Sequence, residues 1–315
     1  KFRCRKSIGG GRVNYIMSTK IAVLMGGPSS EREVSLSSGK AMFAASAALG
    51  YDAISVEFKD DILSHLDTLK SVDIVLIALH GGIGENGRIQ GMFESLGIRY
   101  TGSDALSSAI CMDKHISKLL AEDVGIATPR WKRIRKGQSI YKNEFDYPFV
   151  VKPNSEGSTI GLTIVHNEND YDSAVEEAFK YDDEILIEEF ISGKEITVSI
   201  VGEDVLPIIE IRPEHGLYDY ECKYTKGMTE YICPAELNED LTKRIKQTAF
   251  EVYKLLKCRH YGRVDLRLDN NNQHWFLELN TLPGMTDTSL VPKAAKATGI
   301  SFEQLIGKII KQSLD

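Results

Sequence analysis

The sequence predicts a protein of mixed α/β and α+β class, with an N-terminal parallel-sheet domain followed by two lobes rich in β-strands. Two observations in the 315 residues support this class. Apolar strands alternate with helices in the first third of the chain, which is typical of a parallel sheet. Later strands follow one another through short loops and bends, which is typical of antiparallel pairing.

The N-terminal third repeats a strand, a glycine-rich turn and a helix. Segment 20–58 runs from the strand in KIAVLM through a Gly-Gly turn and a helix to a second strand, and segment 72–102 repeats the scheme. We therefore expect an α/β domain over residues 17–112, with its functional turns at the carboxyl ends of the strands. Residues 1–16 are basic and lack the apolar stretch of a signal peptide, so they are interpreted as a tail or cloning remnant.

The middle of the chain, residues 113–194, is predicted to form the first β-rich lobe. The stretch VKPNSEGSTIG places Lys152 at a strand end, before a loop of glycine and serine. Such a loop can wrap phosphates with backbone N–H groups, although loops of this composition are more often simple turns. The GxxxxGK[ST] order and a following helix are both missing, so it is not a P-loop.

Residues 195–315 are predicted to form the second β-rich lobe, and GRVDLRLDNNNQHWFLELN is interpreted as its hairpin. A two-residue loop at Asn271-Asn272 would set Asp265 opposite Glu278 and Arg263 opposite Asn280. Strand alternation then groups Phe276, Glu278 and Asn280 on one face, away from Trp275, Leu277 and Leu279. Two facing carboxylates repel, and a hard cation such as Mg²⁺ would relieve them. The alternative is a solvated strand face.

Composition excludes several classes of protein. With 42% hydrophobic and 26% charged residues, the chain has the make-up of a globular protein. A net charge of −7 argues against a nucleic-acid or membrane-surface partner. The five cysteines are scattered and form no CxxC pair, which favours a reducing cytoplasm and disfavours a zinc site.

Three separate segments offer complementary parts of a nucleotide site. Lys152 and its loop could bind phosphates, the acidic hairpin could bind Mg²⁺, and Lys114 stands on a helix between the lobes. The bend EEFISGKE could contact adenine through its backbone and a ribose through Glu195, although acidic bends are more often plain surface. Together these segments predict an ATP site.

Seven motifs, in one order over residues 20–315, resemble the D-alanine:D-alanine ligase family of the ATP-grasp superfamily. The motifs are GGPSSEREVSLSSG, ALHGGIGENGRIQGMFESLGIRYTGS, MDKHISK, VVKPNSEGSTIG, YDYECKYTKGMTEYICPA, GRVDLRLD and LELNTLPGMTDTSLVPKAA. The resemblance implies a three-lobed ATP-grasp architecture with ATP between the two β-rich lobes. It also implies ATP-dependent joining of two D-alanines through D-alanyl phosphate, for peptidoglycan synthesis in the cytoplasm, by a homodimer.

The resemblance further assigns the nucleotide and metal residues. Lys114 and Lys152 correspond to the lysines on the α- and β-phosphates, and Lys223 to the lysine that reaches the γ-phosphate. The ATP set implied by the family is Lys114, Lys152, Ser158, Glu188, Glu189, Ile191, Glu195 and Lys223. The metal ligands are Asp265, Glu278 and Asn280, holding two Mg²⁺ ions for which Mn²⁺ can substitute.

The substrate residues also come from the resemblance. Glu31 corresponds to the anchor for the ammonium of the first D-alanine, and His80 lines the same subsite. Ser289 and Leu290 correspond to contacts with the carboxylate of the second D-alanine. The resemblance also implies that Arg263 and the N–H of Gly284 contact the oxyanion. It further implies that Glu31, Ser158 and Tyr224 form a hydrogen-bonded set, which locks the loop over the site.

Two alternatives stay open. The acceptor could be D-serine or D-lactate, although the relatives that make D-alanyl-D-lactate lack the tyrosine found here at Tyr224. The chain could instead be a nucleotide-binding regulator, although the phosphate lysines, the metal oxygens and Arg263 are all present. One departure from the family is Asn86, where an aspartate is expected.

Overall fold

The computed structural model describes residues 19–138, 145–214, 225 and 227–315. Within these ranges the N-terminal domain has a parallel three-stranded sheet in the order β2-β1-β3, as predicted. Its strands are β1 (Lys20–Gly26), β2 (Asp52–Phe58) and β3 (Ile74–Ile77). Its helices are α1 (Arg32–Ala48), α2 (Leu66–Lys70) and α3 (Arg88–Ser95).

Two helices lead from this domain into the first β-rich lobe. They are α4 (Ala105–Met112) and α5 (Lys114–Asp123), and Asp104 and Asp113 cap them by accepting N–H groups of their first turns. The lobe contains an antiparallel four-stranded sheet in the order β4-β7-β5-β6, covered by α6 (Tyr171–Ala178). The strands are β4 (Trp131–Arg135), β5 (Phe149–Pro153), β6 (Thr163–Val165) and β7 (Glu184–Glu189).

The second β-rich lobe has an antiparallel sheet in the order β11-β10-β8-β12-β13, with β9 paired to β8. The strands are β8 (Gly193–Val201), β9 (Asp204–Val205), β10 (Ile209–Pro213), β11 (Thr229–Ile232), β12 (Tyr261–Asp269) and β13 (His274–Asn280). The helices are α7 (Glu239–Leu255), α8 (Leu290–Ala297) and α9 (Phe302–Leu314). Within the described ranges every helix is too short or too polar to cross a bilayer.

Three hydrophobic cores hold these layers together. The first combines the N-terminal sheet with α8 and α9, so that Met42 and Ile77 share a core with Val291 and Ile309. The second lies beneath β8, β12 and β13, and the third beneath the four-stranded sheet. Because the C-terminal helices pack on the N-terminal domain, the carboxyl ends of the N-terminal strands face the acidic hairpin. The domain boundaries at residues 112 and 194 stay predictions.

The hairpin confirms the predicted register at the site but not the predicted turn. Asp265 pairs with Glu278 and Arg263 with Asn280. However, four residues separate the strands, 270–273, and a β-bulge shifts the register between Asp265 and Leu266. Next to the turn Leu268 pairs with His274, one residue out of the predicted register, and the extra residue of the bulge restores the predicted pairs further along the ladder.

The bulge also changes which side chains share a face. The prediction that Phe276 lies with Glu278 is wrong, because Phe276 is fully buried in the second core together with Leu279. Leu277 instead lines the cleft beside Glu278. The alternation predicted for β12 holds, with Val264 and Leu266 buried and Asp265 at the cleft. The bulge is therefore what turns Glu278 into the cleft while Phe276 stays in the core.

Candidate active site

Two adjoining cavities lie where the three parts of the molecule meet. The first lies between the four-stranded sheet and the acidic hairpin, and the second between the hairpin and the N-terminal domain. Both are lined by Gly157, Arg263 and Glu278. Molecules bound in the two cavities could therefore meet at these three residues.

The first cavity brings together most of the residues predicted to bind ATP. Its lining includes Lys114, Lys152, Glu188, Glu189, Ile191 and Glu195, with the metal candidates Asp265 and Glu278 across from them. The loop between β5 and β6 forms one wall through Gly157, Thr159 and Ile160. Two residues of this loop, Ser158 and Thr159, have positive φ angles of 50° and 63°, which turn its backbone sharply.

Lys152 belongs to a buried network of three charged side chains. Lys152 Nζ contacts Glu188 Oε1 at 2.7 Å, and Lys118 Nζ contacts Glu188 Oε2 at 2.7 Å. Burial acts to raise the pKa of Glu188, but the two ammonium groups outweigh it and the pKa is lowered. Sequence reasoning missed Lys118, whose side chain is 0% exposed. Its one available signal was its spacing, since it lies one helical turn after Lys114.

The carboxylates of the acidic hairpin are paired with basic side chains and accept hydrogen bonds, which offsets their mutual repulsion. The Arg263 guanidinium donates from Nε to Asp265 Oδ1 at 2.9 Å and from Nη2 to Oδ2 at 2.8 Å. Asn280 Nδ2 donates to the same carboxylate at 2.9 Å, and Thr197 Oγ1 at 2.5 Å. Lys114 Nζ lies 3.2 Å from Glu278 Oε2. The three predicted metal residues thus form one cluster.

The second cavity contains the predicted substrate residues of the N-terminal domain. Glu31 lies at the start of α1, and Ser158 donates a hydrogen bond to its carboxylate across the cavity. Gly81 lies beside it with φ 67°, and a Cβ there would lie 2.8 Å from Glu31 Oε2. A glycine is therefore required at this approach of the backbone to the carboxylate.

His80 is fixed by neighbours on both ring nitrogens. The Ser38 hydroxyl is 3.0 Å from His80 Nε2 and also accepts the N–H of Met285 at 3.2 Å. Glu85 Oε1 lies 3.5 Å from His80 Nδ1. Because Ser38 accepts from Met285, its own hydrogen is available to Nε2, which favours the tautomer with the proton on Nδ1.

The far wall of this cavity is the loop that leads into α8. Ser289 precedes the helix, yet it does not cap it, because its hydroxyl accepts the N–H of Thr286 at 3.0 Å. Leu290 and Gly284 line the cavity on either side of it. A Cβ on Gly284 would lie 3.0 Å from Ser289 Oγ, so this turn fits closely. Ser289 and Leu290 thus place the start of α8 at the cavity wall, and the N-terminus of a helix suits an anion.

The structure also accounts for Asn86. Its Oδ1 accepts the N–H of Arg88 at 3.3 Å, a contact that an aspartate could make equally well. The following Gly87 has φ 86° and leads directly into α3. The departure from the family at Asn86 therefore leaves this turn intact. Lys223 and Tyr224, the other two predicted site residues, lie outside the described residues.

The fold, with a nucleotide-sized cleft between two antiparallel sheets and an acidic hairpin facing lysines, is the ATP-grasp architecture. Two family models match the chain: D-ala D-ala ligase N-terminus over residues 55–103 and D-ala D-ala ligase C-terminus over residues 120–311. The chain belongs to the D-alanine–D-alanine ligase family.

Individual relatives cover nearly the whole chain. The D-alanine–D-alanine ligase of Syntrophotalea carbinolica is 45% identical over 295 residues, which cover 94% of this chain and 96% of the relative. A crystal structure of the D-alanine–D-alanine ligase of Bacillus anthracis has a TM-score of 0.86 at 41% identity, covering 94% and 98% of the two chains. The VanG D-Ala:D-Ser ligase of Enterococcus faecalis has a TM-score of 0.81 at 32% identity, covering 94% and 99%.

Proposed function

We propose that the protein joins two D-alanines into D-alanyl-D-alanine at the expense of ATP, through a D-alanyl phosphate, as a step in peptidoglycan precursor synthesis. The main observation that supports this proposal is that Gly157, Arg263 and Glu278 line both cavities. A phosphoryl donor in the first cavity and a carboxylate in the second would come into contact there. The names of the relatives, D-alanine–D-alanine ligases from several bacteria, support the same reaction.

In the first step the carboxylate of the first D-alanine attacks the γ-phosphoryl group of ATP, which forms the acyl phosphate and releases ADP. Positioning and neutralisation of charge dominate such a transfer. Lys114 and Lys152 supply positive charge in the nucleotide cavity, and Glu31 anchors the ammonium of the amino acid. Glu188, Glu189, Ile191 and Glu195 contact the adenosine part, Ser158 lies over the phosphates, and Lys223 reaches the γ-phosphate.

The acidic hairpin fits Mg²⁺. Two carboxylates and one amide, from Asp265, Glu278 and Asn280, offer hard oxygen ligands and leave room for phosphate oxygens and water. When bound there, Mg²⁺ would neutralise the phosphate charge that develops during transfer. We propose that two such ions bind there and that Mn²⁺ can replace Mg²⁺. Lys114 and Arg263, which hold the carboxylates in the structure, would then turn toward the substrates.

In the second step the neutral amine of the second D-alanine attacks the carbonyl of the acyl phosphate. The tetrahedral intermediate then loses a proton from nitrogen and expels inorganic phosphate, which leaves the dipeptide. Arg263 and Gly284 both line the second cavity, and we assign the guanidinium and the N–H of Gly284 to the negative charge on the carbonyl oxygen. The turn at Ser289 and Leu290 receives the acceptor carboxylate at the start of α8. His80 lines the first amino-acid subsite. Tyr224 joins Glu31 and Ser158 in closing the loop, which keeps water from the acyl phosphate.

We further propose that the enzyme works in the cytoplasm as a homodimer, with small-molecule substrates and without a nucleic-acid or membrane partner. The five scattered cysteines, which form no CxxC pair, support a reducing location. D-Serine is the second candidate for the acceptor, because the chain is similar to a D-Ala:D-Ser ligase over 94% of its length.

The test is ADP release with ATP, Mg²⁺ and D-alanine, run beside L-alanine, D-serine and D-lactate, with each product identified by mass. We expect dipeptide from D-alanine and none from L-alanine. A mixed product formed with D-serine or D-lactate at a similar rate would replace the proposed acceptor. ATP binding without ADP release on any substrate would overturn the ligase proposal.

A further inference from the structure

Helix α5 directs two lysines from one face toward two different sheets. Lys114 contacts Glu278 on the acidic hairpin at 3.2 Å, and Lys118, one turn later, contacts Glu188 on β7 at 2.7 Å. Lys118 is fully buried, and burial lowers its pKa to about 8 against the opposing pull of Glu188. None of the steps described above uses Lys118.

Lys118 is held in place from both sides. Its Nζ donates to Thr128 Oγ1 at 2.6 Å, and the Thr128 hydroxyl in turn donates to the carbonyl of Phe276 at 2.8 Å. Phe276 directly precedes the bulge that turns Glu278 into the cleft. The ammonium group of Lys118 therefore has fixed partners on β7 and, through Thr128, on β13.

Glu188 is shared between two cations, and only one of them can approach a nucleotide. Lys152 lines the cleft, whereas Lys118 is enclosed behind Glu188. With both lysines in contact, this buried cluster carries one excess positive charge. Departure of Lys152 toward phosphate oxygens would leave Lys118 and Glu188 as a neutral buried pair.

We propose that Lys118 is a positioning residue for nucleotide binding, which stays paired with Glu188 so that Lys152 can leave that carboxylate for the phosphates of ATP. This inference rests on the proposed function, which assigns Lys152 to the phosphates. Without Lys118, moving Lys152 would strand a buried carboxylate with no counterion, and an uncompensated buried charge is strongly unfavourable. Lys118 removes that penalty.

The test is the dissociation constant of MgATP, measured by isothermal titration calorimetry without D-alanine, for Lys118→Met, Glu188→Gln and the double variant. Lys118→Met is expected to weaken binding on the order of 100-fold. In the double variant most of this loss should disappear relative to Glu188→Gln alone, because the neutral amide needs no counterion. Lys136→Met, at an exposed lysine of the same lobe, is the matched control.

Unchanged affinity in Lys118→Met, or an equal loss with and without Glu188→Gln, would overturn the proposal and make Lys118 a purely structural residue. If Lys118→Met does not fold, a crystal structure of the wild-type protein with a non-hydrolysable ATP analogue gives the answer. It should show Lys152 on phosphate and Lys118 still on Glu188, and a retained contact between Lys152 and Glu188 would contradict the proposal.

The two proposals fail in different ways. Wild-type protein that binds MgATP but forms no dipeptide would overturn the proposed reaction and leave the role of Lys118 to be decided by the calorimetry. Wild-type protein that does not bind MgATP would overturn both.

Discussion

Asp265 and Glu278 lie directly opposite each other in the β12–β13 ladder, and a different cation holds each of them. Arg263 binds Asp265 at 2.8 Å from the same strand, and Lys114 binds Glu278 at 3.2 Å from α5. The repulsion between two facing carboxylates is thus balanced by groups from two elements. The same two cations line the first cavity, so the proposed metal ligands and the proposed phosphate-binding lysines share their charges.

Replacing Glu278 by glutamine should remove Mg²⁺-dependent turnover. The amide is a poorer metal ligand than the carboxylate, so we expect kcat to fall by about 100-fold or more at saturating ATP. The measurement is dipeptide formation across a Mg²⁺ titration. Asp269→Asn, at the turn end of the same hairpin, is the control and should keep the wild-type Mg²⁺ dependence. Activity retained by Glu278→Gln would exclude the metal role.

A two-residue loop at Asn271-Asn272 predicts the pairing of Asp265 with Glu278, and this pairing holds because the bulge restores the register after a different turn. The bulge could not be predicted, because the turn from 270 to 273 and the fit of Phe276 into the second core decide it together. Alternation applied without the bulge therefore assigned Phe276 to the wrong face. A local pattern predicts pairs well only where the ladder is regular.

In helix α5 the pattern of apolar residues does not predict which face is buried. Its apolar residues would predict a buried face, yet Ile116 and Leu119 are 36% and 41% exposed, while Lys118 is fully buried. The inner face of α5 borders a polar cleft, where its lysines pair with the carboxylates of Glu278 and Glu188. Resemblance, and no local pattern, supplied Ser289, because the site that it lines is assembled from segments distant in sequence.

Replacing Ser158 by alanine should uncouple ATP consumption from dipeptide formation. The Ser158 hydroxyl holds the loop between β5 and β6 against Glu31, and a hydrogen bond to a carboxylate of this kind stabilises closure by about 1.5–3 kcal/mol. Looser closure would admit water to the acyl phosphate, so phosphate release should exceed dipeptide formation. The measurement is the ratio of the two products, with Ser155→Ala in the same loop as the control. A ratio of one in Ser158→Ala would contradict the role of this contact.

Stability should fall in acid because of His260. Burial, and after it the Arg259 guanidinium, lowers the pKa of His260 from 6.5 to about 4, and its Nδ1 accepts the N–H of Gly102 at 3.1 Å. The folded state therefore binds this proton less readily than the unfolded chain. The stabilisation is fully present above pH 6.5 and is lost progressively as the pH falls toward 4.

His260→Asn should flatten this dependence, because an amide oxygen can accept from Gly102 and asparagine tolerates the φ of 64° at this position. In urea unfolding we expect the wild-type protein to lose about 2 kcal/mol more than the variant between pH 7 and pH 4.5. His166→Asn, at an exposed position, controls for replacement of a histidine. Equal losses in the wild-type protein and His260→Asn would show that another group governs the acid transition.

Replacing Ser289 by alanine should weaken binding of the acceptor without affecting ATP. The Ser289 hydroxyl holds the turn through the N–H of Thr286 at 3.0 Å and lies beside Gly284, so its loss disturbs the anion site at the start of α8. Loss of one such hydrogen bond corresponds to a rise of about 10-fold in KM for the second D-alanine. KM for ATP should stay near the wild-type value, because Ser289 lines the second cavity and not the first.

Ser313→Ala, on the last turn of α9, is the control, since its hydroxyl bonds only the helix backbone at Ile309. A parallel rise in both KM values would instead indicate a general loss of structure, and an unchanged KM for D-alanine would place the acceptor carboxylate elsewhere.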